Sequence, residues 1–485
     1  ERILDQERGT RFDIGEYVAE RRPDICALPL HWHFQSYDAI EVCKKIKANH
    51  PETHTVLGGF TAGYFGASIL QDFACVDSVV QGHGEVPMLA LARELGAREM
   101  GSLAYVPSLH WRDRDGALRT NADVYFSRGP DLARFHFTKL PLMRNWESYR
   151  DFYSFPLLWS VNQSIAENRA MHSLGAGFFP LALGRGCPIK CSWCGGGHAA
   201  HKRIYHSGGV FWRPVESAVE SIRELVGYGY KMIHLCFDPA PKVPKYHLEL
   251  FKRIREEGLE VGCYFESWSI PTEELCESFA ATFDPKWSTM AISPESAVER
   301  VRDLNRGFPF PNDAFYKIMD RIKEIGLGVD VFFNVGMPGE TLADAMETYR
   351  MIEDLRARFP NIKRLMTWSI QLEPASPQFE DPARFGIETD RKSFLDFYRC
   401  HGGDHADAYS ALGYNNPTFF DPPTRSPEEY AARLQELKCR SFCFLSPNPA
   451  KSWDPESGRA YCAMRTIMWK MRGAGERPTT PRPHF

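Results

Sequence analysis

Strand-like apolar runs alternate with amphipathic helical segments over most of this chain, and no other feature limits its fold as strongly. The runs KMIHLCFD and GVDVFFNVG, for example, lie on either side of helical patterns such as DAFYKIMDRIKEIG. Strands that are joined by helices pair in parallel, and those helices cover the faces of the sheet. The alternation therefore predicts an α/β fold.

The alternation falls into two blocks, and the second block predicts a barrel. Residues 179–380 contain six strand-like runs, from PLALGRG to RLMTWSIQLEP. Six such units predict a partial (β/α)6 barrel, whose active site lies at the carboxyl ends of the strands. Asp238 and Glu266 end two of these strands and are predicted to face that site. A role for Glu266 in hydrogen bonds of the barrel rim alone stays open.

The first block, residues 1–100, predicts a Rossmann-like domain. Three strand-like runs alternate with helical segments there. An open parallel sheet binds its ligand at the carboxyl ends of the strands, where the connecting loops lie. Two of those loops are rich in glycine, and they supply the candidate ligand contacts Gly58, Gly59, Phe60, Thr61, Gly82, His83, Gly84 and Glu85.

Two further regions complete the predicted organisation. Residues 101–178 form a linker region in which Asp115-Gly116 marks a β-hairpin turn. Residues 381–485 are rich in proline and aromatic side chains and predict a small, mostly helical cap that holds the substrate. Because the sequence does not begin with methionine, the N-terminal domain is expected to be incomplete at its start. The cap also contains isolated cysteines, for which burial is the first interpretation and an auxiliary cluster the alternative: Cys400, Cys439, Cys443 and Cys462.

Three of the thirteen cysteines lie close together, directly after the first strand of the second block. Cys187, Cys191 and Cys194 form the pattern C-x-x-x-C-x-x-C. Thiolates are ligands of iron–sulfur clusters, and three of them leave one iron of a cubane open for a substrate or cofactor. A zinc site with His198 or His201 as the fourth ligand is an alternative, and so are three thiols without a metal.

The segment GCPIKCSWCGGG resembles the signature of the radical S-adenosylmethionine (SAM) superfamily. In that superfamily the three cysteines hold a 4Fe–4S cluster, and the open iron chelates the amino and carboxylate groups of SAM. The resemblance implies that the three cysteines here are both the metal ligands and the catalytic centre, where reductive cleavage of SAM generates a radical. It also implies that Trp193, Gly195 and Gly196 contact SAM, with Trp193 near the adenine.

The resemblance continues along the predicted barrel. AISPESAVERVRDLNRG resembles the fourth-strand segment that contacts the methionine or ribose part of SAM, and FFNVGMPGET resembles the glycine-rich fifth-strand segment beside the adenine. These segments add to Asp238 and Glu266 the candidate cofactor contacts Ser293, Glu295, Ser296, Gly336 and Pro338.

The two glycine-rich loops of the first block resemble those of the cobalamin-binding domain that precedes many radical SAM barrels. The matching segments are TVLGGFTAGYFG and VDSVVQGHGEVPMLAL. The resemblance implies that these loops hold the nucleotide tail of cobalamin. The motif D-x-H-x-x-G, whose histidine ligates cobalt in many such domains, is missing. His31 and His33 are therefore expected to serve in polar contacts or packing, with cobalt ligation as the alternative.

Together these resemblances predict a cobalamin-dependent radical SAM methyltransferase. It would methylate an unreactive carbon or phosphorus centre of a small molecule or peptide in antibiotic or other secondary metabolism. The expected partners are that substrate and an external electron donor such as flavodoxin or ferredoxin. The alternatives are a radical enzyme that rearranges, cyclises or contracts a ring, an enzyme that has lost its cobalamin, and a non-catalytic carrier or sensor.

Charge and hydropathy argue against two other classes of partner. The net charge of −4 provides no basic surface of the kind that nucleic acids require. The longest apolar runs are the length of strands and are shorter than a membrane span. A charged N-terminus and an oxygen-sensitive cluster both favour a cytoplasmic location.

Overall fold

The computed structural model describes residues 12–97, 103–144, 146, 147, 150, 154, 155, 176–370, 372–387, 389 and 391–400. Within these residues the strands form a five-stranded sheet, a seven-stranded sheet and a separate two-stranded ladder. The pairing of the main strands is parallel in both large sheets, so the predicted α/β fold is confirmed.

The N-terminal sheet has its strands in chain order. They are β1 (Ile25–Pro29), β2 (His54–Gly58), β3 (Ser78–Val80), β4 (Leu109–Arg112) and β5 (Leu118–Thr120). The first three are parallel, and β4 and β5 are antiparallel. Gly116 has φ 79° in the turn between β4 and β5, which confirms the predicted hairpin. The helices of this part are α1 (Ile14–Arg21), α2 (Ser36–Asn49), α3 (Phe60–Asp72) and α4 (Glu85–Gly96).

The seven-stranded sheet follows the order β14-β13-β12-β11-β10-β7-β6. Its strands are β6 (Ser154–Phe155), β7 (Ala176–Pro180), β10 (Met232–Leu235), β11 (Gly262–Ser267), β12 (Thr289–Glu295), β13 (Val329–Val335) and β14 (Ile362–Ser369). All are parallel except the edge strand β6. Six parallel strands in chain order are what six consecutive βα units produce.

Helices alternate with these strands because apolar residues recur at helical spacing between them. The described helices after β5 are α5 (Gly129–Arg134), α6 (His198–Tyr205), α7 (Val215–Gly227), α8 (Lys245–Glu256), α9 (Glu273–Thr282), α10 (Glu299–Asn305), α11 (Asn312–Glu324), α12 (Leu342–Arg358), α13 (Pro377–Glu380) and α14 (Phe394–Cys400). Of these, α13 and α14 follow the last strand. Ile233 and Leu235 of β10 belong to the large core against the helices, whereas Met232 belongs to a smaller core on the opposite face. His234 lies between Ile233 and Leu235 in the strand, so its side chain points to the other face of the sheet, the inner face, on the same side as Met232.

The first barrel strand differs from the prediction. The strand predicted from the run PLALGRG is observed a few residues earlier, as β7, and the run itself continues into β8 (Gly184–Arg185). β8 pairs with β9 (Phe211–Trp212) in the separate ladder. A Cβ at Gly184 would lie 2.6 Å from the Phe211 carbonyl oxygen, and Gly186 has φ 95°. This close backbone approach turns the chain away from the sheet immediately before Cys187.

The chain returns to the N-terminal part after the barrel. Phe394 and Phe397 of α14 are fully buried in the same core as Ile40, Leu57 and Ile69. α14 thus packs on α2 and α3 of the N-terminal domain. Residues 401–485 of the predicted cap, with Cys439, Cys443 and Cys462, lie outside the described residues. Among the helices that the structure describes, none combines the length and apolar composition of a membrane span.

Candidate functional site

The three clustered cysteines lie in one loop, residues 186–197, which joins β8 to α6 and is called the cysteine loop below. Backbone N–H groups reach two of the sulfurs: Ile189 donates to Cys187 Sγ and Gly307 to Cys191 Sγ, both over 3.4 Å. Hydrogen bonds of this kind stabilise thiolates that ligate iron. The donor set and its surroundings therefore fit an iron–sulfur cluster.

Burial disfavours the ionisation of these thiols when no metal is bound. It raises the pKa of Cys187 to about 11 and the pKa of Cys194 to about 12, and it also raises the pKa of Cys191. Such thiols are protonated near pH 7, so metal binding releases protons.

The zinc alternative requires a close group of ligands around a single ion. Among the described residues, no three His, Cys, Asp or Glu side chains are close enough to ligate one metal ion. His201 stacks on the ring of Tyr205, with a centroid distance of 4.9 Å, and burial lowers its pKa to about 4. A cubane, by contrast, distributes three thiolates over three irons.

Two segments that are distant from the cysteines in the chain hold the cysteine loop at Ser192. Asn305, at the end of α10, accepts the Ser192 N–H over 2.8 Å through its carbonyl oxygen and the Ser192 hydroxyl over 2.7 Å through Oδ1. Gln378 donates its amide N–H to the Ser192 carbonyl over 3.0 Å and its Nε2 to the Ser192 hydroxyl over 2.9 Å. Sequence reasoning missed both residues, because neither is near the cysteines in the chain.

The two glycines after Cys194 differ in the space around them. A Cβ at Gly195 would lie 2.5 Å from the Pro374 carbonyl oxygen, whereas the nearest atom to a Cβ at Gly196 is Phe60 Cζ, 3.8 Å away. Gly195 thus permits close backbone packing, and Gly196 faces the N-terminal domain. The predicted SAM contact Trp193 packs against Val301 and its neighbours in a small core.

Asp238 is fully buried just beyond the end of β10, and its contact with a ligand stays a prediction. Its Oδ2 accepts the Ser267 hydroxyl and the Trp268 N–H, each over 3.1 Å. Burial raises the pKa of this carboxyl to about 6. Its Oδ1 accepts no hydrogen bond from the described residues and lies 3.9 Å from Nδ1 of His247. Because Nε2 of His247 lies 3.0 Å from the Phe237 carbonyl oxygen, Nε2 carries the proton of the neutral ring, whose pKa burial lowers to about 4.

Glu266 lies on the inner face of the sheet, near the end of β11. It is hydrogen-bonded over 2.9 Å to Nε2 of His234 on the neighbouring strand, and its side chain is 40% exposed. Cys236, which directly follows β10, is exposed. The inner face of the sheet therefore carries polar, accessible groups near the carboxyl ends of β10 and β11.

The other barrel candidates are held by their own neighbours. Glu295 has φ 69° and binds Arg306 and Asn334. The hydroxyls of Ser296 and Thr348 lie 3.2 Å apart, Gly336 donates its N–H to Glu340, and the Pro338 carbonyl accepts from Asn305. Ser293 is half-buried in β12. Contact of these residues with SAM stays a prediction.

The loop that follows β2 in the N-terminal domain approaches the cysteine loop. Gly59 has φ 118°, and a Cβ there would lie 2.7 Å from the Leu30 carbonyl oxygen, so the turn after β2 requires glycine. Thr61 donates its hydroxyl to the His31 carbonyl over 3.1 Å. Between them, Phe60 makes edge contacts with the rings of His201 and Tyr205, each at a centroid distance of 5.5 Å. Next to this contact, a Cβ at Gly58 would meet no atom within 4 Å, so open space remains there.

The loop that follows β3 is largely covered by the barrel domain. Gly82 has φ 94°, and a Cβ there would lie 2.9 Å from the ring of Tyr205. His83 is buried, its Nδ1 accepts the Ser127 N–H over 3.0 Å, and burial lowers its pKa to about 3. Glu85 forms an ion pair with Arg185 over 2.6 Å. Gly84 begins α4 as its cap residue. These contacts fix the position of the loop against the cysteine loop's domain.

The two histidines considered as cobalt ligands lie between the domains. His33 is buried, and its Nε2 lies 3.6 Å from Oε1 of Glu373, the residue that also packs against Gly195. His31 packs against Phe60 at a centroid distance of 5.0 Å, and burial lowers its pKa. Both positions agree with packing and polar contacts, and cobalt ligation stays untested.

Comparison with known proteins identifies the barrel. Residues 181–352 match the family described as the radical SAM superfamily. This part of the chain is a radical SAM domain. The predicted superfamily and the predicted enzyme class are thereby confirmed, and so are the two cofactors that define a radical SAM domain, a 4Fe–4S cluster and SAM.

The similarity of this chain to known proteins extends beyond this domain. It is 24% identical over 366 residues to a cytidylyl-2-hydroxyethylphosphonate methyltransferase from Streptomyces wedmorensis, an alignment that covers 70% of this chain and 64% of that protein. It is 22% identical over 369 residues to an anaerobic magnesium-protoporphyrin IX monomethyl ester cyclase from Rubrivivax gelatinosus, covering 73% and 58% of the two chains. The chain thus matches less than two thirds of the length of these two relatives.

A solved structure shares the fold of almost the whole chain. The radical SAM methyltransferase TsrM from Kitasatospora setae, with cobalamin and a [4Fe-4S] cluster bound, superposes with a TM-score of 0.63 at 17% identity. The superposition covers 95% of this chain and 90% of that one. The arrangement of an N-terminal sheet domain followed by a radical SAM barrel is therefore an arrangement that known proteins also adopt.

Proposed function

We propose that this chain is a cobalamin-dependent radical SAM methyltransferase that methylates an unreactive carbon or phosphorus centre of a small molecule or peptide. The observation that carries the proposal is the packing of Phe60, in the glycine-rich loop after β2, against His201 and Tyr205 of α6, which directly follows the cysteine loop. A ligand at the carboxyl end of the N-terminal strands would lie beside the cluster. Two cofactors held this way would face one substrate.

The relatives support this proposal. The Kitasatospora protein binds cobalamin and a cluster within the same fold, and the Streptomyces relative is a methyltransferase whose substrate contains a phosphonate. When bound, the cluster and SAM supply radical chemistry, and cobalamin supplies a methyl group.

The residues of this chain would bind, orient and shield these groups. The cysteine loop would hold the cluster, and the open space at Gly58 would admit part of the cobalamin. Asp238 and the Glu266–His234 pair, at the carboxyl ends of their strands, would contact SAM or the substrate. Electrons would come from an external carrier such as flavodoxin or ferredoxin in the cytoplasm, and the product would belong to antibiotic or other secondary metabolism.

A second candidate function is a cyclisation or rearrangement without methyl transfer. The observation that favours it is the similarity to the Rubrivivax cyclase, which has an identity close to that of the methyltransferase relative.

Product analysis tests the proposal and separates the two candidates. The protein is reconstituted anaerobically with iron, sulfide and cobalamin, and is incubated with SAM that carries a labelled methyl group and with candidate substrates. We expect a cobalamin absorption spectrum, S-adenosylhomocysteine and 5′-deoxyadenosine, and label in the product. Formation of 5′-deoxyadenosine alone would favour the second function, and a protein that retains no cobalamin would refute the first.

A matched pair of cysteine variants controls this experiment. Cys191→Ala removes a predicted cluster ligand and should abolish both products. Cys26→Ala changes a half-buried cysteine of β1, distant in the chain from the cysteine loop, and should leave both products unchanged.

A further inference from the structure

Cys191 differs from Cys187 in the origin of its N–H donor. The donor to Cys187 is Ile189, an amide of the cysteine loop itself. The donor to Cys191 is Gly307, which follows α10 and is distant from the cysteines in the chain. The surroundings of this one sulfur therefore depend on a separate segment, residues 305–307, called the α10 clamp below.

Gly307 is the part of the α10 clamp that approaches most closely. A Cβ at this position would lie 2.5 Å from the amide nitrogen of Lys190 and would also overlap the side chain of Ile189. The φ of Gly307 is not in the left-handed region, so space rather than backbone conformation requires glycine here. The absence of a side chain lets the Gly307 N–H reach the sulfur of Cys191.

Arg306 places a buried positive charge beside the same sulfur. Its guanidinium binds the carboxylate of Glu295 and donates over 2.7 Å to the Trp268 carbonyl at the end of β11. Arg306 immediately precedes Gly307, whose N–H reaches Cys191 Sγ over 3.4 Å. The charge of Arg306 therefore belongs to the segment that contacts this sulfur.

Glu295 and Asn305 hold the α10 clamp in place. Glu295 has φ 69°, a backbone conformation that residues other than glycine rarely adopt. Its carboxylate binds both Arg306 and Asn334 of β13. Such strain persists only where the surrounding contacts enforce it. Asn305 adds the two hydrogen bonds to Ser192, and its own Nδ2 donates to the Pro338 carbonyl over 2.8 Å. The α10 clamp therefore links three strand ends to the cysteine loop.

We propose that residues 305–307 position the cysteine loop and raise the reduction potential of the cluster that this loop binds. Reduction adds a negative charge to the cluster and its thiolates. An N–H bond to Cys191 and a nearby guanidinium stabilise that charge, so their loss makes the cluster harder to reduce. Asn305, Arg306 and Gly307 are positioning residues, which act through the cysteine loop. The inference rests on the cluster assignment and is independent of whether the product is methylated.

The test is a redox titration of the reconstituted protein, followed by the electron paramagnetic resonance signal of the reduced cluster. Gly307→Ala displaces the N–H, and Arg306→Gln removes the charge. We expect each variant to lower the reduction equilibrium constant about tenfold, which is a shift of about 59 mV to more negative potential for one electron. Arg306→Lys keeps the charge and should restore most of the potential lost in Arg306→Gln.

Gly227→Ala is the matched control, since a Cβ at the end of α7 meets no atom within 4 Å. It should retain the wild-type potential and iron content. If Gly307→Ala loses iron while its thermal unfolding without iron matches the control, the positioning part of the proposal is supported directly. Should Gly307→Ala fail to fold, Arg306→Gln and Arg306→Lys decide the matter. Wild-type potential and iron content in both Gly307→Ala and Arg306→Gln would overturn the proposal.

Discussion

Replacing Asp238 by asparagine should stabilise the protein at neutral pH, although Asp238 lies at the candidate site. The carboxyl is fully buried, and its pKa is raised from 3.8 to about 6. The folded state therefore binds this proton more tightly than the unfolded state does. The resulting stability is fully present below pH 3.8 and is lost as the pH rises to about 6.

The magnitude follows from the size of this shift. Each unit of pKa corresponds to about 1.4 kcal/mol, so a shift of roughly two units makes the ionised carboxyl unfavourable by about 3 kcal/mol at pH 7. Asparagine has no charge to bury. Its amide oxygen can accept the Ser267 and Trp268 hydrogen bonds, and its NH₂ group would face the unprotonated Nδ1 of His247, 3.9 Å from the present Oδ1. We expect Asp238→Asn to gain up to about 3 kcal/mol at pH 7 and little at pH 4.

The assay is urea unfolding of the protein without iron, followed by circular dichroism between pH 4 and pH 7. Asp303→Asn is the control, because Asp303 is exposed on α10 and its substitution should change stability by less than about 0.5 kcal/mol at any pH. The depressed pKa of His247 affects both proteins alike and cancels in the difference. A loss of stability at pH 7 would refute the reasoning, because it would mean that His247 is protonated and forms an ion pair with Asp238.

Three further predictions concern the loop, the core and the domain contact. Gly195→Ala should reduce iron incorporation several-fold, since its Cβ would lie 2.5 Å from a carbonyl oxygen, whereas Gly196→Ala should bind iron normally; equal iron content in the two variants would contradict this. Phe397→Ala should destabilise the protein by about 3–5 kcal/mol in urea unfolding, because the ring is fully buried in the N-terminal core. A double-mutant cycle of Arg185→Ala and Glu85→Ala should give a coupling energy of about 1 kcal/mol that falls at high salt, and additive effects would show that the ion pair contributes nothing.

Local chemistry accounts for what could be predicted before the structure. The spacing of Cys187, Cys191 and Cys194 after a strand indicated a cluster, and the radical SAM match confirms it. The alternation of apolar runs predicted the parallel strands, because helix and strand periods are properties of short segments. The Asp115-Gly116 turn was predictable for the same reason. All these signals lie within a few residues of one another.

Contacts between distant segments decided the rest. Asn305, Gly307 and Gln378 hold the cysteine loop through backbone and amide groups, which any sequence contains in abundance. The first barrel strand ends at Pro180, the first residue of PLALGRG, and the rest of the run leaves the sheet where Gly184 packs against a second segment, which no local pattern reveals. His83 is buried against Tyr205 of the other domain at a centroid distance of 4.7 Å, a contact that the glycine-rich loop pattern did not indicate.

The sequence by itself thus determined the α/β fold class and the presence of a cluster, because hydrophobic period and cysteine spacing are encoded locally. The tertiary structure decided which groups surround each sulfur, which loop of the N-terminal sheet meets the cysteine loop, and which carboxyl is buried enough to change its pKa. These properties depend on desolvation and on close packing between segments that are far apart in the chain, and both arise only once the chain has folded.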